Sequence, residues 1–355
     1  MMKLQKLLLE DPYSMGKEKK GLFFKNYLNK LTSHHFNNSK EYKKLINHLG
    51  YSIKKKYEID QIPFLPVRLF KEFNFLSVKK NKVIKVLNSS GTTGKKTSKI
   101  YLDKNNALNQ VKVLQKITNK ILGKERLPML IIDKNIKNIS RTNFNARIAA
   151  INGFSIFGKD HTFLLDEKNN IDYIALNKFL SKYGKKKFFI FGFTSFIFEN
   201  LIEKLIMKKV AINFKNAILL HGGGWKKLEN KKISNKIFKE KIRKKLNINN
   251  IFNYYGLIEQ TGSIFVECKC GFFIASNFSE VLIRDSNFNL LNNNKKGFIQ
   301  LFSLLPSSYP GHNILTEDIG EIIENSKCSC TIKGKRFLVH GRIEQAEIRG
   351  CSDTQ

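Results

Sequence analysis

The sequence lacks any apolar stretch long enough to cross a membrane. Its most apolar run, FFIFGFTSFIF at residues 188–198, is flanked by lysines and interrupted by glycine and hydroxyl residues, and we predict a buried strand that leads into a helix. The N-terminal MMKLQKLLLEDPYS has only a short apolar patch followed by acids, without the apolar core and cleavage site of a secretory signal. We therefore expect a cytoplasmic protein whose five cysteines are reduced.

Acidic residues are scarce. The chain has 29 Asp and Glu and 63 Lys and Arg, which gives a formal net charge of +34. Such an excess is typical of proteins that bind nucleic acid or an anionic membrane. Here the lysines are spread from one end of the chain to the other and accompany many Asn, Ile and Phe, which indicates an AT-rich genome. We expect no nucleic-acid partner, although a lysine-rich helix at 226–246 keeps nucleic-acid binding as an alternative function.

The chain contains no internal repeats, and its 42% hydrophobic and 12% aromatic residues exclude a disordered protein. Its 355 residues suffice for two or three structural units. We predict a polar, mainly helical region at 1–80, an α/β core at 81–262 and a small β-rich subdomain at 263–355.

Strand and helix patterns alternate between residues 187 and 256. The strands KFFIFGF, NAILLHGG and NIFNYYG are separated by the helices TSFIFENLIEKLIMKK and ISNKIFKEKIRKKL. This alternation predicts an α/β fold, a parallel sheet with helices on its faces. Ligands bind at the carboxyl ends of such strands, where the turns HGGGW and YYGLIEQTG follow two of them.

An earlier strand, KVIKVLNSS, runs into the loop SSGTTGKKT at residues 89–97. Backbone N–H groups, hydroxyls and two lysines in such a loop can wrap a polyphosphate. The glycines are too close together for a Walker A loop, and by itself the segment could equally be a flexible hairpin turn. The strand SKIYLD follows, and Asp103 is a candidate N-cap for the next helix.

Five motifs occur in a fixed order: SSGTTGKKT, HGGGWK (221–226), YYGLIEQTG (254–262), LTEDIG (315–320) and GRIEQAEIRG (341–350). This series resembles the adenylate-forming ligases, which include acyl-CoA synthetases, luciferases and adenylation domains. IPFLPVRLFKE (62–72), LLHGGGWK, YGLIEQTG and RGCSD are more closely similar to the acyl-protein synthetases of bacterial bioluminescence. The resemblance covers nearly the whole chain. It implies a large ligase-like part with a parallel sheet and flanking helices, and a small β-rich C-terminal subdomain.

The resemblance also implies a role for each matching residue. ATP phosphates would be held by Ser89, Ser90, Gly91, Thr92, Thr93, Gly94 and Lys95, and the adenine would be flanked by Gly222, Gly223, Gly224, Tyr255 and Gly256. Glu259 would ligate Mg²⁺, Asp318 would bind the ribose hydroxyls, and Arg342 would contact the ribose or a phosphate. Cations and N–H donors suit this chemistry because the barrier to forming an acyl-adenylate is electrostatic.

Most adenylate-forming ligases continue into a mobile domain whose lysine reaches the α-phosphate. We expect that domain to be absent here, with Lys95 or Lys96 as candidates to replace the lysine. The resemblance implies instead that Cys351, in RGCSDTQ, accepts the acyl group as a thioester, and Arg349 nearby would lower the pKa of its thiol. The alternative is an incidental cysteine on a frayed chain end.

The other four cysteines form two Cys-x-Cys pairs, Cys268 with Cys270 and Cys328 with Cys330. Four thiols in two pairs suit a structural Zn²⁺, although the usual spacing is Cys-x₂-Cys. Four unrelated reduced cysteines are the alternative. His312 and His340 are further candidate ligands.

The expected function is the ATP-dependent activation of a carboxylic acid, for which we expect a fatty acid. The acyl group would then be delivered through Cys351 to a partner such as an acyl reductase. The alternative in the same fold delivers the acyl group to coenzyme A or to a carrier-protein thiol. The sequence does not identify the acid or the final acceptor.

Overall fold

The computed structural model describes residues 4–89, 97–135, 146–225, 233–324 and 328–343. They fall into two compact units. The first unit contains the described residues of 4–89, 97–117 and 256–343, and the second contains those of 118–255. The predicted segment 1–80 and the predicted β-rich segment 263–355 therefore contribute to one unit, since strand β1 of the former pairs with strand β13 of the latter.

The helices are α1 (Leu4–Leu7), α2 (Lys17–Asn38), α3 (Lys40–His48), α4 (Leu69–Glu72), α5 (Lys104–Leu122), α6 (Ala146–Ser155), α7 (Tyr173–Tyr183), α8 (Thr194–Ile197), α9 (Lys204–Met207) and α10 (Asn235–Leu246).

The strands are β1 (Leu65–Pro66), β2 (Val83–Asn88), β3 (Lys99–Asp103), β4 (Leu127–Lys134), β5 (Gly158–Leu165), β6 (Phe188–Phe193), β7 (Ala217–Gly222), β8 (Asn250–Tyr255), β9 (Phe265–Glu267), β10 (Phe273–Ile274), β11 (Ser279–Arg284), β12 (Gly297–Ser303), β13 (Asn313–Ile323) and β14 (Arg336–Arg342).

The second unit contains the predicted parallel sheet, in the order β8-β7-β6-β4-β5. Every residue of β6 and β7 is buried, as expected of parallel strands that are covered on both faces. Serine and aspartate caps start two of the helices: Ser234 Oγ accepts from Ile237 N, and Asp172 Oδ1 accepts from Ala175 N. The α/β prediction is confirmed.

The predicted helix after β6 is interrupted. It begins as α8, continues as a π-helical stretch over Phe198–Glu203 and returns to α-helix in α9. A π-helical turn inserts one residue into the helical period and occurs often near functional sites. Apolar periodicity predicts the helix but does not reveal this local widening.

The first unit contains an antiparallel arrangement in the order β11-β12-β13-β14-β10-β9, with β1 parallel to β13, and a separate hairpin formed by β2 and β3. The Asp103 cap is confirmed, since its Oδ1 accepts from Asn106 N at 2.8 Å. Strands β9 to β14 lie within residues 263–355, the segment predicted to be β-rich, whereas β1, β2 and β3 precede that segment in the chain.

A buried group of charges joins α2 to the strands of the first unit. Lys20 Nζ lies 3.2 Å from Glu280 Oε2, and Lys335 Nζ lies 3.2 Å from Glu280 Oε1. Lys20 also lies over the ring of Phe24. A buried carboxylate with two cations is compensated in charge, so the N-terminal helix is attached by specific ion pairs as well as by apolar packing. None of the described helices is long and apolar enough to span a membrane.

Candidate active site

The base of the predicted phosphate loop is the turn end of the β2–β3 hairpin, where Asn88 pairs with Lys99. Ser89 and Ser98 face each other there: Ser89 N donates to Ser98 O at 3.0 Å, and Ser98 N donates to Ser89 Oγ at 2.8 Å. This pair fixes both ends of the loop to one strand register. The loop residues Ser90, Gly91, Thr92, Thr93, Gly94 and Lys95 lie outside the described residues.

Glu259, the predicted Mg²⁺ ligand, lies in a short 3₁₀ turn, Ile258–Gln260, and is 5% exposed. The side chain of Ser98 lies beside its carboxylate. Burial raises the pKa of Glu259, while the Ser98 side chain, the Glu259 backbone and the charges of Arg342 and Lys71 act in the opposite direction. Carboxylate oxygens are the ligands that Mg²⁺ prefers, so this donor fits the predicted ion.

Asp318 and Arg342 occupy paired positions on β13 and β14. Arg342 Nε lies 3.3 Å from Asp318 Oδ1, and the carboxylate is the less exposed partner. Glu317, the preceding residue, accepts a hydrogen bond from Arg68 Nε at 2.7 Å. The two residues that the resemblance assigns to the ribose are therefore held together on neighbouring strands, and Arg342 also acts on Glu259.

The predicted adenine turn lies at the carboxyl end of β7 in the second unit. A Cβ on Gly222 would come within 2.4 Å of the Tyr254 ring, so only glycine fits. Gly223 and Gly224 have φ angles of 83° and 66°, in the left-handed region that favours glycine. Tyr255 ends β8 in the same unit, whereas Gly256 begins the next segment of the first unit.

A buried pair, His221 and Thr194, supports this glycine turn, and no sequence motif assigned a role to either side chain. Thr194 Oγ1 donates to Gly222 O at 3.0 Å, so its lone pair accepts from His221 Nδ1 at 2.9 Å. Burial, followed by the charge of Lys239, lowers the pKa of His221 to about 3. Thr194 directly follows the parallel strand β6, and the rule that sites form at carboxyl ends of such strands could have identified it.

Three of the four paired cysteines come together in the first unit. The Sγ atoms of Cys268, Cys328 and Cys330 lie within 4.8 Å of one another. The Cys268–Cys328 and Cys328–Cys330 distances are 3.6 Å and 2.9 Å. Cys270 is exposed, and its Sγ lies 3.6 Å from Ser329 Oγ. Thiols at these separations can share one metal ion with Zn–S bonds of about 2.3 Å.

The thiols of this cluster differ in acidity. Burial raises the pKa of Cys268 to about 12. Burial also acts to raise the pKa of Cys330, but hydrogen bonds from Cys328 and Arg336 outweigh it and lower that pKa. Arg336 Nη2 lies 3.7 Å from Cys330 Sγ. The cluster thus has a cation at its edge that favours a thiolate, which is the form that binds metal. The other two predicted candidate ligands are engaged elsewhere, since His312 Nε2 lies 2.9 Å from Thr32 Oγ1 and His340 Nε2 lies 2.9 Å from Glu321 Oε1.

The predicted acyl acceptor Cys351 and its neighbour Arg349 lie outside the described residues. Among the predicted nucleotide-site residues, Arg342 interacts with both Asp318 and Glu259, and all three belong to the first unit.

Solved structures with the same fold are adenylate-forming enzymes. The open conformation of 2-hydroxyisobutyryl-CoA ligase in complex with 2-HIB-AMP and CoA matches with a TM-score of 0.71 at 12% identity, over 94% of this chain and 77% of that one. The same ligase with 2-HIB-AMP and CoA in the thioesterification state matches with a TM-score of 0.70 at 12% identity, over 94% and 70%. At this identity the likeness shows the fold.

The sequence itself identifies the family. No curated protein matches the chain significantly. A family model described as "Acyl-protein synthetase, LuxE" matches residues 3–355. The chain therefore belongs to the LuxE acyl-protein synthetase family, and it is a ligase of the AMP-forming type.

Proposed function

We propose that this protein uses ATP to activate a carboxylic acid, with a fatty acid as the proposed substrate, and then transfers the acyl group to its own Cys351. The observation that supports adenylation best is the buried Glu259 carboxylate, which lies beside Ser98, a residue directly after the phosphate loop. Arg342, which also binds Asp318, acts on the same carboxylate. Glu259, Asp318 and Arg342 lie in motifs that resemble those of the family and occur in the same order along the chain.

In the first step a carboxylate oxygen of the acid attacks the α-phosphorus of ATP. A new O–P bond forms between the carboxylate and the α-phosphorus. The bond between the α-phosphorus and the oxygen that bridges it to the β-phosphate breaks, and pyrophosphate leaves with the electron pair. Negative charge builds up on the phosphate oxygens, and positively charged side chains and N–H donors stabilise it. Lys95 and the loop N–H groups are assigned to that role, and Arg342 to the ribose or phosphate beside it.

Mg²⁺ bound at Glu259 would neutralise charge on the ATP phosphates. Glu259 is suited to hold it because Ser98 and Arg342 act to keep the carboxylate charged and burial excludes competing water. Asp318, with its carboxylate against Arg342, is assigned to the ribose hydroxyls.

In the second step the thiolate of Cys351 attacks the acyl carbonyl carbon. The C–S bond forms, the mixed-anhydride C–O bond breaks, and AMP leaves. A thiolate is the reactive form of cysteine, and Arg349 nearby would increase its fraction. A thiolate of a partner protein such as an acyl reductase can then attack the thioester carbonyl; a new C–S bond forms, the C–S bond to Cys351 breaks, and Cys351 leaves as a thiolate. Both steps suit the predicted cytoplasmic location.

The cysteine cluster has a structural role in this proposal. Cys268, Cys328 and Cys330 would bind one Zn²⁺, with Cys270 as the predicted fourth ligand. The ion would crosslink the β9–β10 turn to the segment before β14.

Delivery to coenzyme A is the second candidate. The 2-hydroxyisobutyryl-CoA ligase structures that share the fold contain both an acyl-adenylate and CoA. In that case Cys351 would be dispensable for product formation.

Exchange of labelled pyrophosphate into ATP tests adenylation. Wild-type protein with Mg²⁺ and a panel of fatty and aromatic acids should exchange label with at least one acid. Glu259→Gln should lose most of that exchange, whereas Glu167→Gln, at an exposed position of the second unit, should retain it. Lack of exchange with every acid would contradict the proposal.

A further inference from the structure

The loop between β12 and β13 is buried, although the proposed chemistry does not use it. Its residues 306–312 read PSSYPGH, and Ser308, Tyr309 and His312 are at most 1% exposed. Connecting loops usually run over the surface because their backbone needs water. A buried loop therefore has protein partners, and the identity of those partners indicates its role.

One side of this loop holds the turn that carries Glu259. Tyr309 OH donates to the backbone oxygen of Glu259 at 2.8 Å. Gln260 Nε2 donates to Gly311 O at 2.9 Å and to Leu301 O at 3.0 Å. The backbone of the Glu259 turn is thus fixed from two directions.

Gly311 marks the closest approach of the loop to the turn. A Cβ at this position would lie 2.6 Å from Glu259 O and 2.3 Å from the Tyr309 ring. Both atoms are rigid, so a side chain at 311 would push the turn away. The sequence YPG is therefore adapted to direct contact with Glu259.

A second side of the loop holds the phosphate-loop hairpin. Ser308 Oγ donates to Tyr101 O at 2.7 Å and accepts from Asn106 Nδ2 at 2.8 Å. Tyr101 lies in β3, the strand that follows the phosphate loop. Ser308 O accepts from Ser77 N at 2.7 Å. Neighbouring residues Ser308 and Tyr309 thus contact the two elements that carry Ser98 and Glu259.

Helix α2 supports the loop from behind. His34 Nε2 donates to Ser307 O at 2.8 Å, and His35 Nε2 donates to Pro306 O at 3.2 Å. His312 Nε2 lies 2.9 Å from Thr32 Oγ1. These contacts make the loop a rigid element, which a group that positions a catalytic side chain must be.

We propose that Tyr309 is a positioning residue for adenylation, which holds the Glu259 turn at a fixed distance from the phosphate-loop hairpin. This inference rests on the proposed function, in which Glu259 holds Mg²⁺. Loss of the phenol hydroxyl would leave Glu259 O without its donor and let the turn shift. Small misplacements of this kind weaken catalysis strongly.

Tyr309→Phe tests the proposal, because it removes the hydroxyl and keeps the ring. We expect the Mg²⁺ concentration for half-maximal pyrophosphate exchange to rise about tenfold, because the free energy of one buried hydrogen bond corresponds to a change of about that size. Tyr183→Phe is the matched control. It also loses one hydrogen bond, from its hydroxyl to Asp160 Oδ2 at 2.6 Å, but it lies in the second unit. Its Mg²⁺ requirement should equal that of the wild type.

A merely structural role would lower the melting temperature of Tyr309→Phe without changing the Mg²⁺ requirement of the folded enzyme, and that result would overturn the inference. If Tyr309→Phe does not fold, Gln260→Leu provides a second variant. It removes Gln260 Nε2, the other donor between the Glu259 turn and the loop 306–312, and we expect the same shift in Mg²⁺ requirement. Wild-type protein that exchanges no pyrophosphate refutes the proposed function, whereas an active wild type with an unchanged Tyr309→Phe variant refutes only this inference.

Discussion

The side chain of Ser98 lies beside the Glu259 carboxylate and acts to lower its pKa, against the larger effect of burial. Ser98 is 1% exposed and is also the residue whose backbone N–H binds Ser89 Oγ at the base of the phosphate loop. One serine therefore connects the element assigned to the ATP phosphates with the side chain assigned to Mg²⁺. A polar contact that stabilises the charged form favours ionisation of a carboxyl group, so Ser98 acts on the charge of Glu259.

Ser98→Ala should lower the rate of pyrophosphate exchange about five- to tenfold, because it removes a polar side chain that favours the charged form of Glu259, and such a contact to a charged group contributes roughly 1.5–3 kcal/mol, part of which water replaces. Ser155→Ala is the control. It loses a helix-internal bond, from Ser155 Oγ to Ile151 O at 2.7 Å, and should exchange at the wild-type rate. Equal rates for both variants would show that Ser98 does not act on the reaction.

Asp318→Asn should raise the KM for ATP by about tenfold with a smaller effect on kcat, because a ribose contact made equally in ground and transition states contributes to binding alone. Glu317→Gln tests the neighbouring carboxylate, which binds Arg68, and should leave the KM unchanged. Steady-state kinetics with varied ATP distinguishes the two. A KM effect for Glu317→Gln that matches Asp318→Asn would remove the ribose assignment.

Much of the fold could be predicted because its signals are local. The runs LPMLIID and NAILLHGG became β4 and β7, and SKIYLD became β3 with Asp103 as the cap of α5. Apolar runs with glycine or polar turns at their ends mark parallel strands. The glycine turn after β7 was likewise visible, because steric contact with Tyr254 and positive φ angles leave glycine as the fitting residue there.

The contacts between distant segments could not be predicted from one sequence. Tyr309 and Glu259 are separated by 50 positions, and Lys20 and Glu280 by many more. A buried lysine has the same sequence signature as an exposed one, since burial depends on where the partner carboxylate lies. The role of Ser98 was missed for the same reason: its partner is determined by the tertiary fold.

Acidification should destabilise the protein because three buried histidines remain neutral when folded. Burial is the main cause that lowers the pKa of His221 and His312 to about 3 and that of His35 well below its usual value. The unfolded chain binds protons at these residues below about pH 6.5 and the folded chain does not, so stability falls as the pH drops through that value. Each histidine should lower the free energy of unfolding by about 1 kcal/mol when the pH falls from about 7.5 to about 5.5.

Urea unfolding at the two pH values measures this slope. His312→Gln should reduce the loss of unfolding free energy by about one third, its share of the three residues. His48→Gln, at an exposed position in α3, should leave the slope unchanged. Identical slopes for wild type and His312→Gln would show that His312 does not contribute in this way.

The purified protein should contain about one Zn²⁺ per chain, because Cys268, Cys328 and Cys330 offer three converging sulfurs. Cys328→Ser should lose the metal and lower the melting temperature, and Cys351→Ser should keep both. Elemental analysis and thermal unfolding with and without a chelator provide the readouts. Metal-free protein with an unchanged melting temperature would exclude the site.

The most direct test of the two-step reaction separates its halves with Cys351→Ser. Wild-type protein given ATP, Mg²⁺ and radiolabelled acid should exchange pyrophosphate and also carry hydroxylamine-sensitive label. The variant should still exchange pyrophosphate, because adenylation uses Glu259 and the residues around it, but it should carry no such label, because a serine hydroxyl is hardly ionised near neutral pH. A Cys351→Ser variant that is labelled as strongly as wild type, or a wild type that adenylates the acid without ever labelling itself, would contradict the account.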